Sequence, residues 1–195
     1  SLFHVSLAGG DTNSWDARLV VSVTVLGRLE GPPWKRSGAQ PGDWIFVTGS
    51  LGGSLAGHHL DFIPRVRESQ ELRRSVSPTS MIDVSDGFTA DLYHLLEESR
   101  VGAIVHEETI PVAPAAHEIR DSKTPLEHAL GDGEDFELLF TVSPTDGEQL
   151  LRSPPFETPL SHVGEITSEP TAILRRKTGK DIPLPRLGWT HRLIP

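Results

Sequence analysis

The stretch from Met81 to His106 constrains this chain most, because its hydrophobic period changes twice within a few turns of chain. Met81-Ile82-Asp83-Val84 reads as a short strand and Ser85-Asp86-Gly87 as a turn. Phe88, Leu92, Leu95 and Leu96 then recur at helical spacing, which predicts a helix from Phe88 to Arg100 with Asp91, His94, Glu97 and Glu98 mostly on the outer side. Gly102 is the expected stop, and Ala103-Ile104-Val105-His106 returns to strand. A strand–helix–strand order of this kind belongs to a sheet with helices packed on it.

The rest of the chain fits the same plan. Leu19 to Leu26 is β-branched and predicts a strand, and Gly31-Pro32-Pro33 breaks it, suggesting a domain boundary there. Trp44 to Thr48 predicts a second strand after the turn Gln40-Pro41-Gly42-Asp43, running into the small-residue stretch Gly49 to Ser54. The connection from Pro64 to Arg74 gives no clear local signal. Phe136 to Val142 predicts another strand, and Ser143-Pro144 opens a helix through Leu151 as N-cap and first residue. Short strands turning at Thr178-Gly179-Lys180 follow between Ser161 and Leu184. The fold class expected from these elements is α+β, a sheet covered by helices.

Charge narrows the function. The chain has 18 basic and 27 acidic residues, a net charge of −9, which disfavours binding to a nucleic-acid backbone. It leaves room for a nucleotide held through magnesium, since clustered carboxylates bind hard cations that neutralise phosphates. With no cysteine there is no disulfide framework and no thiolate zinc site, and no apolar run reaches the length of a membrane span. A cytoplasmic address is the default. The chain opens at Ser1 without a Met, which suggests further sequence upstream.

Three acidic turns flanked by glycine could carry chemistry: Gly9-Gly10-Asp11-Thr12, Asp83 to Gly87, and Gly131-Asp132-Gly133-Glu134-Asp135. In the second, strand alternation points Asp83 and Ser85 the same way, and Asp86 begins the turn at a helix start, where anions are favoured. Asp86 would serve equally as a plain N-cap, and Glu134 and Asp135 as a solvated loop. Gly49 to Gly53 lacks the Gly-Lys-Ser/Thr of a Walker loop and reads as a tight turn from strand to helix. The nine histidines show no metal-binding spacing and read as surface or packing residues. Arg36 is the candidate positive charge for phosphates, although an arginine before a turn is usually a surface residue.

Taken in order, the Gly9–Thr12 turn, Arg36-Ser37-Gly38-Ala39-Gln40-Pro41-Gly42-Asp43, Ile82 to Gly87, Gly131 to Leu138 and the closing Gly188-Trp189-Thr190-His191 resemble the motif series of thiamine-monophosphate kinases. That resemblance implies the superfamily of aminoimidazole ribonucleotide synthetase, with an N-terminal domain that dimerises through its strands and a C-terminal α/β domain. Residues 1–30 would be the end of the first domain and 31–195 the second. It implies an ATP-dependent kinase, cytoplasmic and homodimeric when complete, that converts thiamine monophosphate to thiamine diphosphate with Mg²⁺; the alternatives are a related ATP-dependent synthetase with another acceptor, or an inactive C-terminal fragment. Carried over by motif, Asp11, Asp83 and Asp86 would be magnesium ligands. Gly10, Asp11, Arg36 and Ser85 would contact the nucleotide, and Glu134 and Trp189 the thiamine substrate. Three departures stand out. The family's N-terminal portion, with further metal-binding aspartates, is missing, the segment between Gly57 and Ser80 is shorter than in many relatives, and Arg186 occupies a place where some relatives have an aromatic, with Trp189 as its substitute.

Overall fold

A computed structural model of the chain describes residues 5–29 and 31–190, so His191 of the closing motif lies outside the described residues. The chain divides into two compact units, Ser1–Pro33 and Trp34–Pro195. Among the described residues of the first unit there is neither helix nor strand. The strand expected at Leu19 to Leu26 is therefore not formed, and Leu19, Val21, Val23 and Leu26 are exposed. The reason is physical: β-branched residues favour an extended chain, but a strand exists only when another strand takes its backbone hydrogen bonds.

The second unit carries one seven-stranded sheet. In chain order its elements are β1 (Trp44–Thr48), α1 (His58–Asp61), α2 (Val66–Ser75), β2 (Ser80–Asp83), α3 (Phe88–Ser99), β3 (Gly102–His106), α4 (Pro125–Gly131), β4 (Leu138–Val142), α5 (Pro144–Arg152), β5 (Leu160–Thr167), β6 (Ala172–Arg175) and β7 (Asp181–Pro183). The strand order is β2-β4-β1-β5-β3-β6-β7, antiparallel throughout except for the β3–β6 pair. A mixed α/β sheet was expected, and this is one.

Helices cover both faces. Ile45 and Val47 of β1 turn into a core with Phe88, Leu92 and Leu95 of α3 and Leu130 of α4. Phe46, between them, turns the other way to meet Leu72 of α2 and Leu150 of α5. A strand buried on both faces needs apolar residues at every position, which explains the unbroken run Trp44-Ile45-Phe46-Val47. Gly147 lets α5 sit against the sheet, since a Cβ there would stand 2.5 Å from the Trp44 ring.

Helix ends follow local chemistry. The Ser143 hydroxyl caps α5 by accepting from the Asp146 N–H, as its sequence suggested. Thr124 and Glu127 form a capping box at α4, a Thr-x-x-Glu signature the sequence offered and which starts a helix not foreseen there. At the end of α3 the stop is Arg100, in the left-handed conformation at φ 58°, and Gly102 instead begins β3. Two hydrogen bonds from the Arg100 N–H to Glu97 and Leu96 carbonyls close that turn two residues before the glycine.

The register then sets up the site. Asp83 at the end of β2 lies opposite Leu138 at the start of β4, and Val47 of β1 lies opposite Leu139. Three loops therefore leave the same end of the sheet side by side: 49–54 after β1, 84–87 after β2, and 132–137 before β4.

Candidate functional site

Backbone pairing runs on beyond β2 and joins two of the acidic turns. The Glu134 N–H donates to the Ser85 carbonyl and the Phe136 N–H to the Val84 carbonyl, each at 2.8 Å. Gly133 makes the approach possible: it has φ 76°, and a Cβ there would stand 2.7 Å from the Ser85 carbonyl oxygen. The C-terminal motif docks on the same turn, with the Trp189 N–H donating to the Asp86 carbonyl at 2.8 Å. Gly188, at φ 120°, leaves no space for a side chain, since its Cβ would lie 2.6 Å from that same carbonyl.

The result is a cavity of about 420 Å³ lined by Leu55, Ser85, Asp86, Asp132, Glu134, Phe136 and Trp189. Asp86 and Trp189 also line a neighbouring cavity of about 310 Å³ with Tyr93, His94, Glu97 and Arg186. Four residues named from sequence, Ser85, Asp86, Glu134 and Trp189, thus meet at one place. Asp83 is exposed at the end of the edge strand and lines neither cavity. Its neighbours keep the expected alternation, with Ile82 and Val84 in the core and Asp83 and Ser85 on the other side. Arg36 is exposed and lines neither cavity; its carbonyl accepts from the Ser99 hydroxyl at 3.3 Å. Gly10 and Asp11 belong to the first unit and are exposed, and Asp11 Oδ1 accepts from the Thr12 N–H at 2.9 Å.

The anion-binding start of α3 is already occupied by the chain itself. Asp91 Oδ2 accepts the N–H groups of Ser85, Asp86 and Gly87 at 3.0, 3.0 and 3.1 Å. Asp91 is buried, not on the outer face its position in the helix suggested, and Asp86 is no N-cap because Gly87 holds that place without a side-chain bond. Burial, chiefly, with the Asp86 charge adding to it, pushes the Asp91 carboxyl up to about 6 against the pull of those three N–H groups. Asp86, Asp91 and His94 each bring one ligand atom within 4.8 Å of the others.

Behind the cavity, Asp132 is held by two side chains. Its Oδ1 lies 2.8 Å from Lys123 Nζ and its Oδ2 2.7 Å from Nδ1 of the buried His128. His128 Nε2 stands 3.2 Å from Asp121 Oδ1 without hydrogen-bond geometry. Glu134 is exposed, as a solvated loop residue would be, but Asp135 is buried and both of its oxygens accept the Gly52 N–H, at 3.0 and 3.1 Å. Burial pushes the Asp135 carboxyl up to about 7, with Asp132 and Glu137 adding to the effect. Asp91 and Phe136 are not candidates on sequence grounds, and Asp132 is named only as part of its acidic turn. Asp132 and Phe136 sit inside a motif already singled out, while Asp91 declares itself only through the three amides it meets.

No protein-family model matches the chain. The thiamine-monophosphate kinase of Rhodopirellula baltica is 44% identical over 191 residues, covering 97% of this chain and 60% of that protein. The thiamine-monophosphate kinase of Buchnera aphidicola subsp. Acyrthosiphon pisum is 32% identical over 212 residues, covering 97% and 64%. The chain is similar to thiamine-monophosphate kinases over nearly its whole length. It spans a little under two thirds of the length of these curated relatives. Among solved structures, the family's AaThiL complexed with AMPPCP and TMP is 27% identical with a TM-score of 0.62, covering 82% of this chain and 54% of that one. The hydrogenase maturation protein HypE of E. coli, at 20% identity and a TM-score of 0.62 over 79% and 53%, shares the fold. That fold is the aminoimidazole ribonucleotide synthetase-like one. Among the described residues no helix is long and apolar enough to cross a membrane.

Proposed function

We propose that this chain is the acceptor-binding part of a kinase that transfers a phosphoryl group from ATP to thiamine monophosphate, giving thiamine diphosphate. The observation that carries the reading is the single cavity shared by Ser85, Asp86, Glu134 and Trp189, residues drawn from three motifs far apart in sequence. Thiamine monophosphate joins a cationic thiazolium ring to an anionic phosphate. A cavity lined by the Phe136 and Trp189 rings with the Glu134 carboxylate suits the cation. The relative complexed with AMPPCP and TMP supports the same pair of substrates.

Glu134 and Trp189 are assigned to the thiamine end, and Gly10, Asp11, Arg36 and Ser85 to the nucleotide, all by motif. Asp83 and Asp86, with Asp11 on its own motif, are assigned to magnesium; carboxylate oxygens beside the Ser85 hydroxyl are the hard donors that ion takes. Bound there, Mg²⁺ would neutralise charge on the polyphosphate. The residues' own part is to orient. The acceptor is already an anionic phosphate, so no general base is required, and alignment of two phosphates carries the rate. Asp91 contributes by fixing the three amides that shape the Ser85–Gly87 turn. A boundary near residue 31, a cytoplasmic homodimer paired through the N-terminal domain, and no nucleic-acid partner complete the proposal.

The test is mass detection of thiamine diphosphate from the complete protein with ATP, Mg²⁺ and thiamine monophosphate. Asp86→Asn should lower turnover at least a thousandfold with the fold retained. Product from a different phosphate acceptor but none from thiamine monophosphate, or full activity in Asp86→Asn, would sink the assignment.

A further inference from the structure

We infer that Arg65, which touches neither cavity of the candidate site, is a positioning residue for acceptor binding: by clamping Glu137 it holds Glu134 and Phe136 in the backbone conformation that presents them to the acceptor. The inference rests on the kinase reading above for the identity of the acceptor, and on geometry for the rest.

The segment from Glu134 to Glu137 alternates between two sides. Glu134 and Phe136 line the acceptor cavity, whereas Asp135 and Glu137 line a separate cavity of about 670 Å³ with Gly52, His58 and Arg65. Glu134 and Phe136 have φ 53° and φ 51°, in the left-handed region that residues with side chains rarely adopt. Such backbone persists only where its surroundings impose it. On the acceptor side the imposition comes from the two backbone bonds to Ser85 and Val84.

On the far side it comes from the connection that leads into α2. Arg65 Nε donates to Glu137 Oε2 at 2.7 Å and Nη2 to Oε1 at 2.5 Å, a two-pronged clamp that Lys could not reproduce. The Thr48 hydroxyl donates to Glu137 Oε2 at 2.6 Å and accepts the Leu138 N–H at 2.8 Å. Three residues before Arg65, the Phe62 ring stacks on Phe136 with centroids 4.0 Å apart. One short stretch of chain therefore grips consecutive residues of the acceptor segment, Phe136 through its ring and Glu137 through its carboxylate. The Glu137 side chain is 3% exposed, so without Arg65 it becomes a buried charge with a single hydroxyl donor. It must then swing out toward solvent, and the backbone carrying Phe136 and Glu134 moves with it. Glu137 also packs against the Gly49 turn so closely that a Cβ there would run into its carboxylate.

The experiment compares wild type, Arg65→Met and Arg65→Lys in the complete protein. Steady-state kinetics should give a KM for thiamine monophosphate raised at least tenfold in Arg65→Met, with the KM for ATP within twofold of wild type. Arg65→Lys should fall between, since it keeps the charge and loses the fork. In parallel, amide hydrogen exchange at Glu134 and Phe136 should quicken at least tenfold in Arg65→Met while β5 amides exchange as before. Unchanged acceptor KM, or equal loss of affinity for both substrates, overturns the positioning role in favour of a general structural one. If Arg65→Met does not fold, Arg65→Lys carries both readouts by itself. If wild type makes no thiamine diphosphate, the kinase reading has failed, and the exchange rates at residues 134 and 136 still decide what Arg65 does.

Discussion

Asp135→Asn should stabilise this protein at neutral and alkaline pH, although it removes a buried side chain's charge from the heart of a motif. Asp135 is 3% exposed, and its carboxyl titrates at about 7, where an ordinary aspartate has 3.8. The causes are burial first, then repulsion from Asp132 and Glu137, with the Gly52 N–H pulling the other way. The sign follows from linkage. Between about pH 4 and 7 the folded chain keeps a proton here that the unfolded chain has released, so this group favours folding most below pH 4. That advantage disappears as pH rises through 7, leaving an ionised carboxylate that costs the fold roughly 4 kcal/mol. Asparagine keeps an oxygen for the Gly52 N–H and has nothing to ionise. Urea denaturation of wild type and Asp135→Asn from pH 4 to 8 isolates this one group, because every other titration is common to both. The stability difference should move in the variant's favour by about 4 kcal/mol across the range, worth about 8–16 °C in Tm at pH 8. Parallel pH profiles, or a variant less stable than wild type at pH 8, would show that the surroundings of Asp135 solvate its charge and that the reasoning fails.

Other outcomes follow from single contacts. Gly188→Ala should break the bond from the Trp189 N–H to Asp86, costing about 1–3 kcal/mol in denaturant unfolding and raising the KM for the acceptor severalfold. Gly147→Ala should destabilise by about 1–3 kcal/mol, since the methyl would enter the Trp44 ring, and near-ultraviolet circular dichroism should report the displaced indole. Thr124→Ala should remove the capping box of α4 and lower the Tm by about 2–4 °C. The Thr124 N–H and hydroxyl hold the Glu127 carboxyl below its usual range. The gap between wild type and Thr124→Ala should therefore be full above pH 5 and shrink as pH falls through the folded value, in thermal melts at pH 7 and pH 3.

The sequence by itself determined the elements whose causes lie within a few residues. The period of Phe88, Leu92, Leu95 and Leu96 makes α3, Ser143-Pro144 starts α5, and glycine beside aspartate marks the turns that leave the sheet. The family motifs were legible for the same reason, being short runs of fixed residues. Tertiary structure alone decided which of these runs meet. Asp91 looked like an outward helix residue until the turn before α3 folded its three amides onto it. Glu134, Asp135, Phe136 and Glu137 are consecutive in the chain, and only the pairing of β4 with β2 sorted them between two cavities. Leu19 to Leu26 carries every local sign of a strand and forms none, because a strand's hydrogen bonds lie in its neighbour. Backbone preference acts within a residue or two, whereas burial, pairing and charge depend on which distant segment arrives, and that is fixed only when the sheet closes.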